Sequence, residues 1–419
     1  MLKFDMKWFT WFLLAWSTFP SGWAAEWSQW RGPNRDGTVA GSVWPDTLTG
    51  RLVRRWQVPL GPSYSGPVMT ADTVFTTETQ DQQWEVVTAW DRATGQRRWQ
   101  TRWAGAMQVP FFAASRGSWI RATPACDGER LYVAGMRDVL VCLDGHQGKE
   151  LWRVDFVQRF GTPLPAFGFV SSPLVTQDAV YVQAGAAVVK LDKFRGEILW
   201  RTLEDEGGMQ GSAFSSPVIA TLAGQPQLVV QTRRKLAGID LDSGRVLWTH
   251  DVPAYRGMNI LTPLVHHDTV FTSSYRNKAW LYEISADAAT FRVKTRWEQN
   301  TSAYMSSPVL IGDHVYVHLQ NQRFACLDLK TGERRWTSQP FGQYASLVTD
   351  GHKILALDQT GWLYLIDADP SQFVLRDAYR VSDTETWGHL AVSGQQLYIR
   401  AENGLSAWDW QPVSSSNSP

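Results

Sequence analysis

The chain has 419 residues, of which 44% are hydrophobic and 19% are charged, and its 40 basic and 40 acidic side chains give a formal net charge of zero. Without a basic excess or a run of like charges, the sequence lacks the electrostatic pattern of a nucleic-acid-binding protein. The length fits either two or three ordinary domains or one closed ring of repeats.

The first residues have the pattern of an export signal. Two lysines precede an apolar stretch, Trp8–Phe19, and small residues at Gly22 and Ala24 suit the −3 and −1 positions of a cleavage site. The stretch is shorter than the about 20 residues of an ordinary membrane span. We predict a signal peptide at residues 1–24 and a mature chain that is soluble in the periplasm or another exported compartment, without a membrane span. An uncleaved anchor is the alternative, and we expect no N-terminal lipid because the first cysteine is Cys126.

The two ends of the chain are predicted to meet in one sheet. Residues 25–50 have no periodic pattern and are expected to form an irregular arm, after which Arg51–Val58 resembles a strand without earlier partners. A strand from the start of the chain would complete a sheet whose other strands come from its end, and such closure removes exposed sheet edges. Residues 411–419 are predicted to be a disordered tail. The three strand-like segments near the end are Thr386–Val392, Gln396–Arg400 and Leu405–Asp409.

One motif recurs along the intervening sequence, and Cys326–Trp336 is its clearest copy. Asp328 to Gly332 have the composition of a tight turn, because Asp caps such turns and Gly supplies a positive φ. A recurrence of about 50 residues with several short strands in each unit is typical of a β-propeller. The large aromatic after each turn is expected to pack against the neighbouring blade rather than on a ligand. Further copies lead to Trp99, Trp152, Trp200 and Trp248.

The number of blades follows from the first strands. Most of these begin with Ser, Thr or Gly followed by Pro, and proline is tolerated at the first residues of a strand. Seven such starts and the composite blade predict an all-β fold, an eight-bladed propeller of four-stranded antiparallel blades over residues 51–410. The turn motif is missing from blades five and seven, so a seven-bladed ring is the alternative. The starts lie at Gly66, Thr123, Ser172, Ser216, Thr262, Ser307 and Ala345.

The repeated motif resembles a known family. The pattern Ala/Cys/Leu-x-Asp-x-x-Thr-Gly-x-x-x-Trp, over about residues 52–410, looks like the pyrroloquinoline quinone (PQQ) propeller repeat. Trp27–Gly37 and the Ser-Ser-Pro segments that begin at Ser171 and Ser306 are similar to exported PQQ-like propellers of the BamB-like family. The resemblance implies the propeller fold, but the same repeat serves dehydrogenases and non-catalytic scaffolds.

The resemblance implies a cofactor site only in the catalytic members of the family. Quinoprotein alcohol dehydrogenases hold PQQ against a disulfide of two adjacent cysteines and bind Ca²⁺ through Glu, Asn and Asp, whereas Cys126, Cys142 and Cys326 include no adjacent pair. Strands one and three of a blade lie about 9–10 Å apart, too far for a disulfide, so three buried thiols are predicted. We predict no catalytic residue, no metal and no cofactor in a binding or scaffold protein. The alternative is a dehydrogenase that uses PQQ and Ca²⁺ to oxidise an alcohol or sugar in the channel.

A candidate binding site follows from propeller geometry. First strands line the central channel, so the residues before the eight starts should converge at one end of it, beneath two long loops, 103–120 and 156–169. These residues are mostly aromatic, and they either only plug the channel mouth or form a cup for an envelope protein, peptide or saccharide. Arg121 would pair with a carboxylate. The candidate ligand-binding residues are Tyr64, Arg121, Phe169, Phe214, Asn259, Tyr304, Tyr344, Trp387 and His389.

Overall fold

A computed structural model describes residues 27–39, 41, 44–208, 213–288, 290–303 and 305–410. Over these residues the chain forms eight four-stranded antiparallel sheets, called blades one to eight, arranged in a ring. The predicted signal peptide and the predicted C-terminal tail lie outside the described residues. Of the helices in this part of the chain, none has the length and apolar character needed to cross a membrane.

Blade eight contains both ends of the described chain, as the sequence predicts. Strand β1, Leu52–Pro59, pairs antiparallel with the last strand, and Leu52 lies opposite Trp410 while Pro59 lies opposite Gly404. The other three strands of the blade come from the C-terminal part of the chain. The ring is therefore closed by hydrogen bonds between residues about 350 positions apart, and no blade is left with a missing strand.

Blades one to four follow the chain from the inner strand outwards. Each inner strand begins directly after the proline of its starting pair, where the missing N–H removes no ladder hydrogen bond. The first strands of neighbouring blades contact one another around the channel. The strands are β2 Val68–Met69, β3 Thr73–Gln80, β4 Trp84–Asp91 and β5 Arg97–Ala104; β6 Ala125–Cys126, β7 Arg130–Gly135, β8 Val139–Asp144 and β9 Glu150–Asp155; β10 Leu174–Val175, β11 Ala179–Ala184, β12 Ala187–Asp192 and β13 Ile198–Thr202; β14 Val218–Leu222, β15 Gln225–Gln231, β16 Lys235–Asp240 and β17 Val246–Asp251.

Blades five to eight repeat this arrangement, and blades five and seven are complete although they lack the turn motif. The ring therefore has eight blades, as predicted, and the seven-bladed alternative is wrong. Two short helices lie in the long loops, α1 at Phe111–Ala114 and α2 at Phe156–Phe160. The strands are β18 Leu264–His266, β19 Thr269–Ser273, β20 Ala279–Asp287 and β21 Thr290–Gln299; β22 Val309–Ile311, β23 His314–His318, β24 Arg323–Asp328 and β25 Arg334–Pro340; β26 Ala345–Thr349, β27 Lys353–Asp358, β28 Trp362–Asp367 and β29 Leu375–Arg380; β30 Ala391–Ser393, β31 Gln396–Ala401 and β32 Gly404–Trp410.

The repeated turn and tryptophan join six of the eight pairs of neighbouring blades. In blade one the Asp91 carboxylate accepts the backbone N–H of Thr94 at 3.0 Å, and Gly95 has a φ of +72°. Trp56 of blade eight covers this turn, and its indole N–H donates to the Arg92 carbonyl at 3.0 Å. Each such contact buries an aromatic ring between blades and satisfies its polar edge. Equivalent indole bonds to the next blade are made by Trp99, Trp152, Trp200, Trp297 and Trp336.

Trp248 makes a different contact from the other docking tryptophans. Its indole N–H donates to the Gln227 side-chain oxygen within its own blade at 2.7 Å. The β20–β21 hairpin replaces the motif in blade five. Blade seven also lacks the motif but still accepts the indole bond of Trp336 at Asp369, so loss of the motif alone does not abolish docking. Elsewhere the cysteines behave as predicted, since all three are buried thiols.

The Gly148→Ala substitution should test the contact between turn and tryptophan. Gly148 has a φ of +70°, and a Cβ atom there would lie 2.4 Å from the Trp99 ring. Strained backbone and the displaced ring together should lower the free energy of unfolding by about 2 kcal/mol, measured by urea denaturation. Gly128→Ala is the control, because Gly128 has a φ of +94° but open space around it. Its cost should be only about 1 kcal/mol, and equal losses in the two variants would contradict the docking role.

Residues 27–39 of the arm occupy the axis of the ring, a position that the sequence did not predict. The Trp27 carbonyl accepts the N–H of Met69 in blade one at 2.9 Å. At the other end of the arm, the N–H of Val39 donates to the Thr349 carbonyl of blade seven at 2.7 Å. Both partners belong to inner strands. The arm therefore lies within the channel and adds backbone hydrogen bonds to the strands that line it.

Two buried arginines of the arm extend these contacts to blades three, four and six. Arg35 donates to the carbonyl oxygens of Ser172 at 3.0 Å, Pro173 at 2.7 Å and Pro217 at 2.7 Å. Arg31 donates to the Pro308 carbonyl of blade six. Burial lowers the pKa of Arg35 to about 9, which leaves it charged at neutral pH. Ser28 bonds to blade two, and Trp30 contacts blades five and eight, so the arm contacts every blade.

Candidate functional site

A cavity of about 270 Å³ lies at the mouth of the channel on the face that carries the long loops. It is bounded by the ends of the inner strands, by the arm and by the loop that contains α1. Most of its wall is apolar, which is typical of a small-molecule or peptide site. The lining residues are Trp30, Tyr64, Ala113, Arg116, Arg121, Phe167, Val170, Ser172, Phe214, Ser216, Met258, Ile260, Met305, Tyr344 and Trp387.

Five of the nine candidate residues are brought together in this lining. Trp387 is stacked on Tyr344, with ring centroids 5.6 Å apart, and makes an edge contact with Tyr64 at 6.1 Å. Arg121 and Phe214 complete the set. These residues come from widely separated parts of the sequence, and the propeller places them together because each precedes an inner strand.

Three candidate residues do not line the cavity, and Tyr304 lies outside the described residues. Phe169 is buried and packs edge-on against Phe156, 6.1 Å away. The buried Asn259 side chain donates to backbone carbonyls, including that of Val252, and so holds a loop. Side chains alternate in direction along an extended chain, so a shift of one residue moves a side chain to the other side. The neighbours that reach the cavity instead are Val170, beside Phe169, and Met258 and Ile260, on either side of Asn259.

His389 is the third candidate residue that lies away from the cavity. It is buried against the arm, with its ring 4.8 Å from that of Trp30 and 6.5 Å from that of Trp27. Its Nδ1 atom lies 2.8 Å from the Leu390 carbonyl oxygen. Burial lowers the pKa of His389 to about 3, so the ring is neutral at physiological pH. His389 therefore supports the arm beneath the cavity rather than the cavity wall.

Trp30 is the principal lining residue that the sequence analysis missed. It reaches the cavity from the arm, and its indole N–H donates to the Thr262 hydroxyl at 3.1 Å. The arm has no repeat pattern that would predict its path. The one available signal was composition, because Trp27 and Trp30 are large aromatic residues in an otherwise polar segment.

Of the two arginines in the apolar wall, Arg116 and Arg121, Arg121 is the less exposed. Its guanidinium carbon lies 4.8 Å from the centroid of the Tyr64 ring, and Nη2 is 3.4 Å from the Gly117 carbonyl oxygen. Its Nε atom is buried and has no hydrogen-bond partner in the described part of the chain. Burial lowers the pKa of Arg121 from its ordinary value. No Asp or Glu is present among the described lining residues.

An exposed edge lies beside the cavity and is here called the aromatic rim. It consists of Phe111 and Phe112 of α1 together with Tyr255 and Arg256, which follow β17. Phe111 is 91% exposed and Phe112 is 53% exposed. The Arg256 guanidinium lies 5.9 Å from the Phe112 ring and 5.2 Å from the Tyr255 ring. Phe112 also contacts Phe167 of the second long loop at 6.2 Å, which joins the two loops on this face.

The cavity does not fit the PQQ and Ca²⁺ site that the alternative function requires. Ca²⁺ takes six to eight oxygen ligands, mostly from carboxylates and carbonyls, and the lining offers no carboxylate. Among the described residues, no group of three or more His, Cys, Asp or Glu side chains could hold a metal ion. The side chains present suit an apolar or aromatic group with a negative charge.

Comparison with known proteins identifies one family. The family model described as outer membrane protein assembly factor BamB matches residues 37–101 and 85–338. BamB of Yersinia pestis is 21% identical over 263 residues, which cover 59% of this chain and 63% of the relative. BamB of Shewanella oneidensis is 21% identical over 268 residues, covering 59% and 64%. The matched region thus spans somewhat less than two thirds of these curated relatives.

Solved structures share the fold. BamB from Moraxella catarrhalis superposes with a TM-score of 0.62 at 16% identity, covering 86% of this chain and 98% of that one. The quinohemoprotein alcohol dehydrogenase of Comamonas testosteroni gives 0.63 at 12% identity, covering 94% and 82%. At these identities the likeness concerns the propeller architecture, which an assembly factor and a dehydrogenase have in common.

Proposed function

The chain belongs to the family of the outer membrane protein assembly factor BamB, and from that premise we propose that it is an exported, non-catalytic scaffold in outer membrane protein assembly. In this proposal it binds a partner at the loop-bearing face of the propeller. The single observation that carries the choice of face is the aromatic rim, where Phe111 and Phe112 are exposed side by side. A cluster of exposed apolar residues marks an interaction site, whereas a single exposed apolar residue is normal on a protein surface.

The chemistry of the rim favours a protein or peptide segment over a saccharide as the partner. Aromatic side chains and arginine are the residues that contribute most at protein interfaces. Phe111 and Phe112 offer flat apolar surface, and Arg256 above Phe112 offers a guanidinium whose planar donors suit carboxylates and carbonyls. Arg116, also exposed, lies over Trp387 at 5.5 Å and bonds to Gln343, so a further cation borders the cavity. The dehydrogenase alternative lacks a comparable observation in its favour.

Photocrosslinking through position 112 tests the proposed function. With a photoreactive phenylalanine analogue in place of Phe112, we expect the exported full-length protein to form adducts with a component of the outer membrane assembly machinery, identified by mass spectrometry. Phe194 is the matched control, because it is 51% exposed, close to the 53% of Phe112, and contacts Arg130 and Lys193 instead of the rim. Adducts at position 194 alone, or at neither position, would contradict the proposal.

Removal of the two rim phenylalanines should weaken the same complex. The Phe111→Ser, Phe112→Ser double variant should reduce partner affinity about thirty-fold, as expected for a loss of about 2 kcal/mol from an interface anchor. The fold should be unaffected because neither residue is buried. Phe194→Ser serves as the control and should bind normally. Unchanged affinity in the double variant would place the interface elsewhere on the propeller.

A further inference from the structure

The cavity behind the aromatic rim has a chemical character that a scaffold function does not require. We propose that it is a binding site for an aromatic carboxylate, in which the carboxylate pairs with Arg121 and the aromatic body contacts the rings of the wall. This inference goes beyond the scaffold function, since it concerns a ligand that enters the propeller and not the partner on its surface.

Three polar side chains of the lining, Arg121, Ser172 and Ser216, have hydrogen-bond donors that can serve a ligand in the cavity. Arg121 uses one long hydrogen bond to a carbonyl, and its remaining donors have no protein acceptor in the described part of the chain. Ser172 Oγ accepts the N–H of Thr123, and Ser216 Oγ accepts the N–H of Ser172. Because both hydroxyl oxygens are already acceptors, their protons can donate into the cavity. A guanidinium and two hydroxyl donors suit an anion with two or more oxygens.

The surroundings of Arg121 increase its preference for an anionic ligand. A partly buried cation without a carboxylate partner is unfavourable, so a ligand that supplies the opposite charge recovers part of the energy lost by desolvation. Arg35 lies directly below, since it donates to the carbonyl of Ser172, which also lines the cavity. Arg31, a second buried arginine of the arm, adds positive charge on the channel axis. A negative group is therefore favoured here over a neutral or positive one.

The remaining wall determines the body of the ligand. Trp30, Phe214 and Trp387 supply aromatic surface, while Val170, Ile260 and the two methionines fill the gaps between them. A saccharide would need many paired polar partners, and this wall offers few. The volume of about 270 Å³ is slightly below the 300–1,000 Å³ range of drug-sized pockets. One aromatic ring with a carboxylate side chain matches these limits.

Titration calorimetry with N-acetylphenylalanine and its uncharged amide tests the inference. The wild-type protein should bind the acid at least ten-fold more tightly than the amide, because only the acid can pair with Arg121. The Arg121→Gln variant should bind both probes equally and weakly. Arg102→Gln is the control, since Arg102 is exposed over Trp84 in blade one and does not line the cavity, and it should bind like the wild type.

A stability measurement separates loss of the site from loss of the fold. Arg121→Gln should unfold at the same or a higher denaturant concentration than the wild type, because the substitution removes a partly buried charge that has no carboxylate partner. Destabilisation together with lost binding would instead indicate a structural role for Arg121. No binding of the acid by the wild type at about 10 mM, a concentration that detects even millimolar affinity, would overturn the inference.

Two sources of the ligand are distinguished in the same assay. Phenylacetate represents a free acid, and an acetylated six-residue peptide that ends in phenylalanine represents the C-terminus of a chain. Tighter binding of the peptide would assign the site to a chain terminus, and equal binding would assign it to a small acid. The crosslinking of Phe112 should persist in Arg121→Gln. Persistence with no carboxylate binding would refute this inference alone, while carboxylate binding without adducts would refute the scaffold proposal alone.

Discussion

Replacement of Arg35 by methionine is expected to lower the free energy of unfolding by about 4 kcal/mol, the largest effect of any substitution considered for this chain. The guanidinium is buried on the channel axis and donates to three carbonyl oxygens of blades three and four. Each buried acceptor left without its donor costs about 1–3 kcal/mol. Removing the buried charge recovers part of this loss, because its desolvation is no longer required.

The geometry of Arg35 also predicts which conservative substitution fails. Arg35→Lys keeps the charge, but one ammonium group cannot reach carbonyls of Ser172, Pro173 and Pro217 in the arrangement that the forked guanidinium spans. It should therefore lose most of the same stability in urea denaturation. Arg195→Ala is the control, since Arg195 is exposed in the turn of blade three and should change stability by less than about 0.5 kcal/mol. A similar small change in Arg35→Met would mean that the arm contributes little to the ring.

The features of the fold that the sequence predicts are those with a local cause. Asp91 and Gly95 define a turn within five residues of blade one, and Trp56 of the neighbouring blade eight covers that turn. The repeat is therefore visible in the residues themselves. Ring closure was predictable for a similar reason, because the strand at Leu52–Pro59 had no partners nearby in sequence. Eight blades follow once these local units are counted.

The arm was not predictable because its contacts leave no pattern in the sequence. Arg35 binds backbone carbonyls, which every residue carries, so nothing in the sequence of blades three and four indicates that they receive it. Only some of the cavity lining was predictable, because the lining comes from segments that also lack a regular pattern. Tyr64 and Trp387 reach it, whereas Phe169 does not, because the segments before the inner strands are irregular and their side-chain direction cannot be counted from a strand.

Acidification should destabilise the protein through His389. Burial lowers the pKa of His389 to about 3 in the folded chain, whereas its ordinary value is 6.5. The unfolded chain therefore takes up a proton below pH 6.5 that the folded chain does not accept until about pH 3, and stability falls as the pH decreases across this window. At pH 4.5, two units below the ordinary value, His389 should contribute a loss of about 3 kcal/mol relative to neutral pH.

The His389→Asn variant isolates this contribution. The asparagine amide can keep the hydrogen bond to the Leu390 carbonyl, but it does not titrate, so the difference in unfolding free energy between pH 7 and pH 4.5 should shrink by about 3 kcal/mol. Glu85 acts in the opposite sense, because burial raises its pKa to about 7 and its contribution to stability falls as the pH rises from 4.5 to 7. The contribution of Glu85 is the same in the wild type and in His389→Asn, so it cancels when the two proteins are compared. His146→Asn, at an exposed position, is the control and should keep the wild-type pH dependence. Equal acid sensitivity in His389→Asn and the wild type would contradict the assignment.

Because His389 packs against Trp30, tryptophan fluorescence should report loosening of the arm beneath the cavity in the same pH range.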